Sequence, residues 1–99
     1  MAFSDMGDQQ LTVDNTAGGV ALTMPTSKTP RHALIYVGGA DIRWLGGTTA
    51  PTATVGVLVT AGSYIDWTDP EGDYRGIMRS ARFIRTGGAS ATLDILYLT

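Results

Sequence analysis

Apolar and polar residues alternate in short runs along most of the chain. The alternation is clearest in VALTM at 20–24, SYIDW at 63–67 and SATLDILYL at 90–98. Successive side chains of a β-strand point to opposite faces of a sheet, so a period of two predicts half-buried strands. Valine, isoleucine, threonine and aromatic residues, which suit a pleated surface, dominate these runs. We therefore predict strands at 11–15, 20–24, 32–38, 41–45, 53–60, 63–67, 80–85 and 90–98.

Glycine and proline separate these runs. Glycine pairs occur at 18–19, 38–39, 46–47 and 87–88, each at the edge of an apolar run, and the four prolines also fall between runs. Glycine adopts positive φ without steric cost, so such pairs are typical of tight turns and hairpins. The period of 3.6 that marks a helix is not sustained, and Asp69–Arg79 is where a short helix or an irregular excursion is expected.

The spacing of the runs predicts a single all-β domain. Short strands that begin about 8–12 residues apart are typical of an antiparallel sandwich, a jelly roll or a small barrel. We predict one antiparallel β-sandwich or jelly roll of about seven to eight short strands over residues 11–99. Residues 1–10 are assigned to an N-terminal arm that precedes this domain.

The composition narrows the classes of function. The chain has 99 residues and no cysteine, which excludes a disulfide framework and a cysteine-based zinc site. Its net charge of -2 disfavours general binding to nucleic acid, because affinity for phosphate comes from an excess of lysine and arginine. The most apolar stretch, Ala53–Thr60, is far shorter than the roughly 20 residues of a membrane-spanning helix. The start MAFSDMGDQQ lacks the basic and apolar regions of a secretory signal, so we expect synthesis in a cytoplasm.

Residues that carry chemistry are sparse. His32 is the only histidine, and we interpret it as a polar residue at the edge of a strand rather than as part of a catalytic triad. The run DPEGD brings Asp69, Glu71 and Asp73 together without the spacing of a calcium loop, so a solvated acidic turn is favoured over a cation site. We expect no catalytic residue, no metal, no cofactor and no enzymatic activity.

Charge is distributed unevenly along the chain. Residues 1–74 carry three basic and eight acidic residues, whereas residues 75–99 carry four arginines and one aspartate. Arginine is favoured in interfaces because its planar guanidinium makes paired bonds to a carboxylate. The basic cluster is either a solvated rim or a surface that docks an acidic neighbour, such as the acidic part of an identical subunit. Its members are Arg75, Arg79, Arg82 and Arg85.

The predicted strands at 32–38 and 90–98 are apolar on both faces. One face packs on the core, so the second apolar face indicates either a central strand covered on both sides or a subunit interface. Aromatic residues are candidate anchors for such an interface, although core packing is the default for each of them. The candidate interface residues besides the four arginines are Phe3 in the arm, Trp44, Tyr74, Leu96 and Leu98.

Four further segments carry a family resemblance. They are GADIRW at 39–44, GTTAPTATVG at 47–56, VTAG at 59–62 and FIRTGGASATL at 83–93. Together they resemble small β-rich proteins encoded among the virion structural genes of tailed bacteriophages. The resemblance covers residues 31–99 and implies a virion component, a capsid decoration or cement protein that binds and stabilises the head shell. It implies no catalytic residues.

The resemblance also implies partners and a place in the virion. The expected partner is the major capsid protein or another virion protein, and the expected assembly is a homo-oligomer, with a trimer favoured over a dimer. Neither nucleic acid nor a membrane is expected as a partner. On this reading the arm docks on a neighbour while the sandwich clamps adjacent capsid subunits. The alternatives are a tail, neck or fibre-adaptor protein, and a carbohydrate-binding module that stacks sugars on Trp44, Trp67 or Tyr64.

Overall fold

The computed structural model describes residues 5–25 and 29–99, and within these ranges the chain forms eight strands and one short helix. The helix α1, Arg75–Ser80, lies between the sixth and seventh strands. The strands are β1 Asp5–Val13, β2 Val20–Ala21, β3 His32–Gly38, β4 Ile42–Leu45, β5 Val57–Val59, β6 Tyr64–Trp67, β7 Arg82–Arg85 and β8 Ala91–Leu98.

The strands form two four-stranded sheets. Sheet one has the order β1-β8-β3-β6, and sheet two has the order β2-β7-β4-β5. Neighbouring strands in both sheets are antiparallel. The first strand pairs with the eighth, the second with the seventh, the third with the sixth and the fourth with the fifth, so the chain is one long hairpin wrapped around a core. The predicted all-β sandwich is therefore confirmed, and its strand order is that of a jelly roll.

The core lies between the two sheets and is lined by every second residue of their strands. In β8, buried residues alternate with half-buried or exposed ones along the whole strand. Strands β3 and β6 follow the same period, and Ile42 and Phe83 close the core from sheet two. Each large side chain buried in this way contributes about 1.5–3 kcal/mol relative to leaving it in water.

A row of aromatic rings crosses from sheet two to sheet one. Trp44 on β4 and Trp67 on β6 have ring centroids 5.4 Å apart, and Tyr74 stacks on Trp67 at 6.3 Å. His32 continues the row, 5.9 Å from Tyr74. It is buried, and its Nε2 lies 2.9 Å from the carbonyl oxygen of Asp69. The row therefore fastens the connection between β6 and α1 to the sandwich, and His32 is a structural part of it.

The first strand is longer than the sequence pattern predicts. Strand β1 begins at Asp5, whereas the hydrophobic pattern indicates a strand only from residue 11. The structure thus places residues 5–10, assigned above to an N-terminal arm, inside sheet one; residues 1–4 lie outside the described residues. The stretch DQQ has no apolar alternation, but pairing with β8 satisfies the backbone groups on one side of it all the same.

The predicted strand at 53–60 shortens to Val57–Val59 because a turn precedes it. The Thr52 backbone N–H donates to the carbonyl oxygen of Val55 at 2.9 Å, and the Thr52 hydroxyl accepts from the Val55 N–H at 3.0 Å. Threonine hydroxyls compete with strand pairing in this way, because they offer nearby backbone groups a local partner. The expected excursion at 69–79 contains most of helix α1.

A buried hydroxyl joins β1, β8 and the segment after β2. The Tyr97 hydroxyl donates to Gln9 Oε1 at 2.7 Å and lies 3.3 Å from the Thr23 carbonyl oxygen. The same Gln9 oxygen accepts from the Thr23 backbone N–H at 3.1 Å. Burial of the hydroxyl raises the pKa of Tyr97 to about 12, because the charged phenolate is disfavoured away from water.

The substitution Tyr97→Phe should lower the free energy of unfolding by about 1–2 kcal/mol near neutral pH, because Gln9 loses its buried donor. The raised pKa adds a dependence on pH. The unfolded chain ionises from pH 10.0 upward while the folded chain resists until about pH 12, so the wild type loses stability over that interval. Tyr97→Phe lacks this loss. The difference in free energy of unfolding between the wild type and Tyr97→Phe, measured by urea unfolding, should therefore narrow between pH 10 and pH 12.

The matched control is Tyr64→Phe, because the Tyr64 side chain is exposed. This control should leave stability unchanged near neutral pH. A gap between wild type and Tyr97→Phe that stays constant up to pH 12 would contradict the role given to burial of the Tyr97 hydroxyl.

Candidate functional site

The outer face of sheet one carries a continuous apolar surface. Leu34 on β3 lies opposite Leu96 on β8, and Tyr36 on β3 lies opposite Tyr64 on β6. The two tyrosine rings are 5.2 Å apart. Leu98 extends the surface along β8. We call these five residues the outer patch.

The members of the outer patch differ in how far they reach into solvent. Tyr64 is 61% exposed and Tyr36 36%, whereas Leu34, Leu96 and Leu98 are half-buried. Leu96 and Leu98 are two of the predicted interface residues, and the structure places them together here. Of the two tyrosines, Tyr36 was not among the predicted residues, and Tyr64 was considered only as an aromatic anchor for an interface or a sugar. A strand-by-strand search for large outward residues in 32–38 and 63–67 would find them, but only the strand order shows that they are neighbours.

Carboxylates surround the outer patch. Asp8 on β1 lies opposite Leu96, Asp66 on β6 lies opposite Leu34, and Asp94 lies opposite Tyr36. No lysine or arginine occurs within the four strands of sheet one. This face therefore combines apolar groups with negative charge.

A shallow depression of about 360 Å³ lies beside the outer patch, between β1 and β8. Asp8, Gln10, Asp94 and Leu96 are among the residues that line it. Gln10 Nε2 donates to Asp94 Oδ1 at 3.1 Å across the two strands. The depression thus offers amide and carboxylate groups next to the exposed tyrosines.

The arginines belong to sheet two and its helix. Within the bounds of sheet two and α1 there is no acidic residue, whereas Arg43 lies on β4 and the four predicted arginines lie on α1 and β7. The strands of sheet one therefore carry acidic residues and no lysine or arginine, and those of sheet two carry arginines and no acidic residue, while further acidic residues such as Asp41 and Asp73 lie in the connections. The predicted members are Arg75 and Arg79 on α1, and Arg82 and Arg85 on β7.

Most of these arginines hold groups of their own chain. Arg75 Nε donates to Asp73 Oδ1 at 2.9 Å, Arg82 Nη1 donates to the carbonyl oxygen of Ala81 at 3.0 Å, and Arg85 Nη1 donates to Ser90 Oγ at 3.2 Å. Arg79 is exposed. The structure thus distributes the arginines over α1 and β7 without forming a common site around them.

The predicted aromatic anchors lie mostly in the interior. Trp44 and Tyr74 both pack against the core cluster, and Trp67 is buried within it. Two of the three rings considered for stacking sugars, those of Trp44 and Trp67, are therefore part of the sandwich interior, and Tyr64 is the exposed one. Phe3 lies outside the described residues.

The acidic run DPEGD forms a turn. Asp69 Oδ1 accepts from the Glu71 backbone N–H at 3.1 Å, and the Asp69 carbonyl accepts from the Gly72 N–H at 2.9 Å. Across residues 5–25 and 29–99, no three histidine, aspartate or glutamate side chains are grouped so that they could hold a metal ion. Over the same residues, no helix has the length and apolar character needed to cross a membrane.

Comparison of the chain with protein-family models, with curated proteins and with solved structures gave no match. The outer patch is the feature of the described residues that differs most from an ordinary solvated sheet face, because large apolar side chains are exposed there among carboxylates, with no lysine or arginine on the same strands.

Asp73 gives a test of the local electrostatics next to α1. Hydrogen bonds from Arg75 hold the pKa of Asp73 at about 2, and the guanidinium of Arg31, 4.0 Å away, favours the same charged form. The folded pKa lies below the ordinary value of 3.8, so this carboxylate stabilises the fold above that pH, and the contribution is lost as pH falls toward 2.

Asp73→Asn should therefore be less stable than the wild type at pH 7, and the difference should disappear as the pH falls from about 4 to about 2. Arg75→Gln should behave in the same way, and the double variant should lose no more than either single variant, because both remove one interaction. Thermal unfolding followed across pH measures these differences. A deficit that persists at pH 2 would show that Asp73 acts through something other than its charge.

Proposed function

We propose that this protein is a structural component of a tailed-bacteriophage virion, a capsid decoration or cement protein that binds and stabilises the head shell. The observation that carries the proposal is the outer patch, an apolar surface with a carboxylate rim on a rigid sheet. The resemblance of residues 31–99 to small virion proteins supplies the biological setting. The jelly-roll fold is found in viral capsid domains and also in lectins, so it agrees with the proposal by analogy alone.

The outer patch has the composition of a protein-binding surface. Aromatic side chains are enriched at the centres of protein interfaces because they bury much apolar area at little cost in conformational entropy. Tyr36 and Tyr64 stand at the exposed side of the patch, and the half-buried leucines beside them are held by the sheet. A rigid surface of this kind loses little entropy on binding.

The charge of the rim specifies the partner's surface. Asp8, Asp66 and Asp94 surround the patch, and no basic residue shares its strands. Complementary potentials steer association and fix its orientation. The proposed partner, the major capsid protein or another virion protein, therefore presents an apolar surface surrounded by lysine or arginine. Binding at many equivalent positions stabilises a shell by mass action.

A tail, neck or fibre-adaptor role uses the same kind of surface elsewhere on the particle. Copy number separates the two roles, because a decoration protein is present in hundreds of copies and a tail component in a few or about a dozen. Association into a homo-oligomer, a trimer or a dimer, is part of the proposal in either case.

One observation favours a second candidate, a carbohydrate-binding module. The exposed rings of Tyr36 and Tyr64 lie beside the Gln10–Asp94 pair, and sugars bind where aromatic faces adjoin hydrogen-bonding amides and carboxylates. A glycan panel tests this candidate. Binding that disappears in Tyr64→Ala would favour it, and a panel without binding would remove it.

The proposed shell binding is tested with phage particles that lack this protein and are mixed with purified variants. Tyr64→Ala should weaken binding by about thirtyfold, because loss of a central aromatic anchor costs about 2 kcal/mol or more. Leu96→Lys should weaken it further than Leu96→Glu, because lysine faces a basic partner. Occupancy per particle, measured by quantitative gel densitometry against the major capsid protein, gives the result.

Ala89→Lys is the matched control. Ala89 is exposed in the connection between β7 and β8, so the substitution adds the same charge away from the outer patch. It should bind as the wild type does. Equal binding by wild type, Tyr64→Ala and Leu96→Lys would refute a role for the outer patch. Absence of the protein from purified virions would refute the virion role itself.

A further inference from the structure

The side of the sandwich formed by β5 and β6 exposes an unusual share of apolar side chains. The large hydrophobic residues exposed in the described part of the chain lie on β3, β5 and β6 or just before β5. Val57 is 51% exposed and Leu58 is 49% exposed, although both belong to a strand. The short connection 60–63 leads from the edge of sheet two to the edge of sheet one. One side of the molecule is thus apolar at both of its sheet edges.

An edge strand presents unpaired backbone groups and can pair with another chain unless it is protected. Among the described strands, β1 has an irregular register at Gly7 and carries Asp8, β2 has only two residues, and β6 carries Asp66. These are common forms of protection. Strand β5 is also short, with three residues, but it has no charge, no proline and no bulge, and the whole stretch 53–63 is uncharged.

The segment that leads into β5 is fixed in place. Gly56 has a φ of +131°, and a Cβ there would lie 3.1 Å from the carbonyl oxygen of Trp44. Arg43 Nε donates to the carbonyl oxygen of Ala53 at 3.1 Å, and Arg43 Nη1 donates to that of Gly56 at 2.9 Å. The edge of β5 is therefore held in a defined conformation before any partner arrives, which lowers the entropic cost of pairing.

We infer that β5 pairs in antiparallel fashion with β5 of a second copy of this chain, about a two-fold axis at Leu58. Leu58 is the middle residue of Val57–Val59, so pairing over the full strand places it opposite its own counterpart. The pairing joins two copies of sheet two into one eight-stranded sheet. An interface of this kind uses the same surface on both copies and closes at two subunits.

The lack of charge on β5 favours this edge, and a second copy of this chain, for the pairing. Pairing of β6 with its counterpart brings Asp66 carboxylates near each other, and β1 does the same with Asp8, whereas β5 brings only neutral residues together. The charges next to this segment bond to backbone groups of their own chain, Arg43 to the carbonyl groups of Ala53 and Gly56 and Asp41 to the Ala61 N–H. A copy of this chain therefore meets no electrostatic penalty at β5.

The contact is small, so the dimer is weak. Pairing over β5, extended by one residue at each end to 56–60 about Leu58, covers about 17 Å of strand and buries less than the roughly 800 Å² per partner of a standard stable interface. We expect reversible association over a micromolar to millimolar range. The dimer uses a different surface from the outer patch, so it leaves that patch open and does not rest on the proposed virion role.

Cysteine cross-linking tests the register, because the chain has no cysteine of its own. Directly opposed residues of antiparallel strands have Cα atoms about 4.5–5.5 Å apart, which is within the range of a disulfide. Leu58→Cys should therefore give a disulfide-linked dimer under mild oxidation of the purified full chain. The matched controls are Val57→Cys, which faces residue 59 of the second copy, and Tyr64→Cys on β6. Both should give little disulfide-linked dimer.

Charge substitution tests the same contact without a cross-link. Leu58→Lys and Leu58→Glu each place two like charges face to face and should raise the dissociation constant of the dimer about tenfold or more in sedimentation experiments. An equal mixture of the two variants should recover the dimer, because opposite charges then face each other. A wild type that stays monomeric at millimolar concentration overturns the inference. An oligomer that Leu58→Lys leaves unchanged also overturns it, and so does equal cross-linking by Val57→Cys.

Discussion

The pairing of β8 with its two neighbours is the constraint on which the rest of this structure depends. Strand β8 lies between β1 and β3, and it pairs with them along eight and seven positions. Its inward residues fill the core and its outward residues form part of the outer patch. A slip of one residue in its register would exchange these two sets, so the pairing that stabilises sheet one also determines its surface chemistry.

Local patterns in the sequence predicted the features that depend on one strand at a time. The alternation in 90–98 separated buried positions from the outward Leu96 and Leu98, because a period of two is a property of the strand itself. The neighbours of those leucines could not be predicted, because strand order brings Asp8 beside Leu96 and Tyr64 beside Tyr36 from distant parts of the chain. Aromatic residues were ambiguous for another reason: a ring such as that of Trp44 suits a core and an interface equally well.

The two sheets differ in the chemistry of their surfaces. Sheet one carries the apolar outer patch with its carboxylates, whereas the arginines of sheet two mostly hold turns and carbonyl groups of their own chain. The strand edge at β5 belongs to sheet two, so binding through the outer patch and pairing through β5 use opposite layers. The proposed binding to a shell and the proposed pairing of two copies therefore do not compete for the same surface.

The strands of sheet one carry acidic residues and no lysine or arginine, whereas those of sheet two carry arginines and no acidic residue, so these strand charges form an electric dipole directed across the sandwich. The net charge of -2 conceals this, because opposite charges on the two layers cancel in the sum but not in the field. A charged surface acts on such a dipole at a distance and turns the molecule during its approach. In the proposed binding, this field turns the acidic face toward a basic partner surface before contact, and the outer patch then forms the interface.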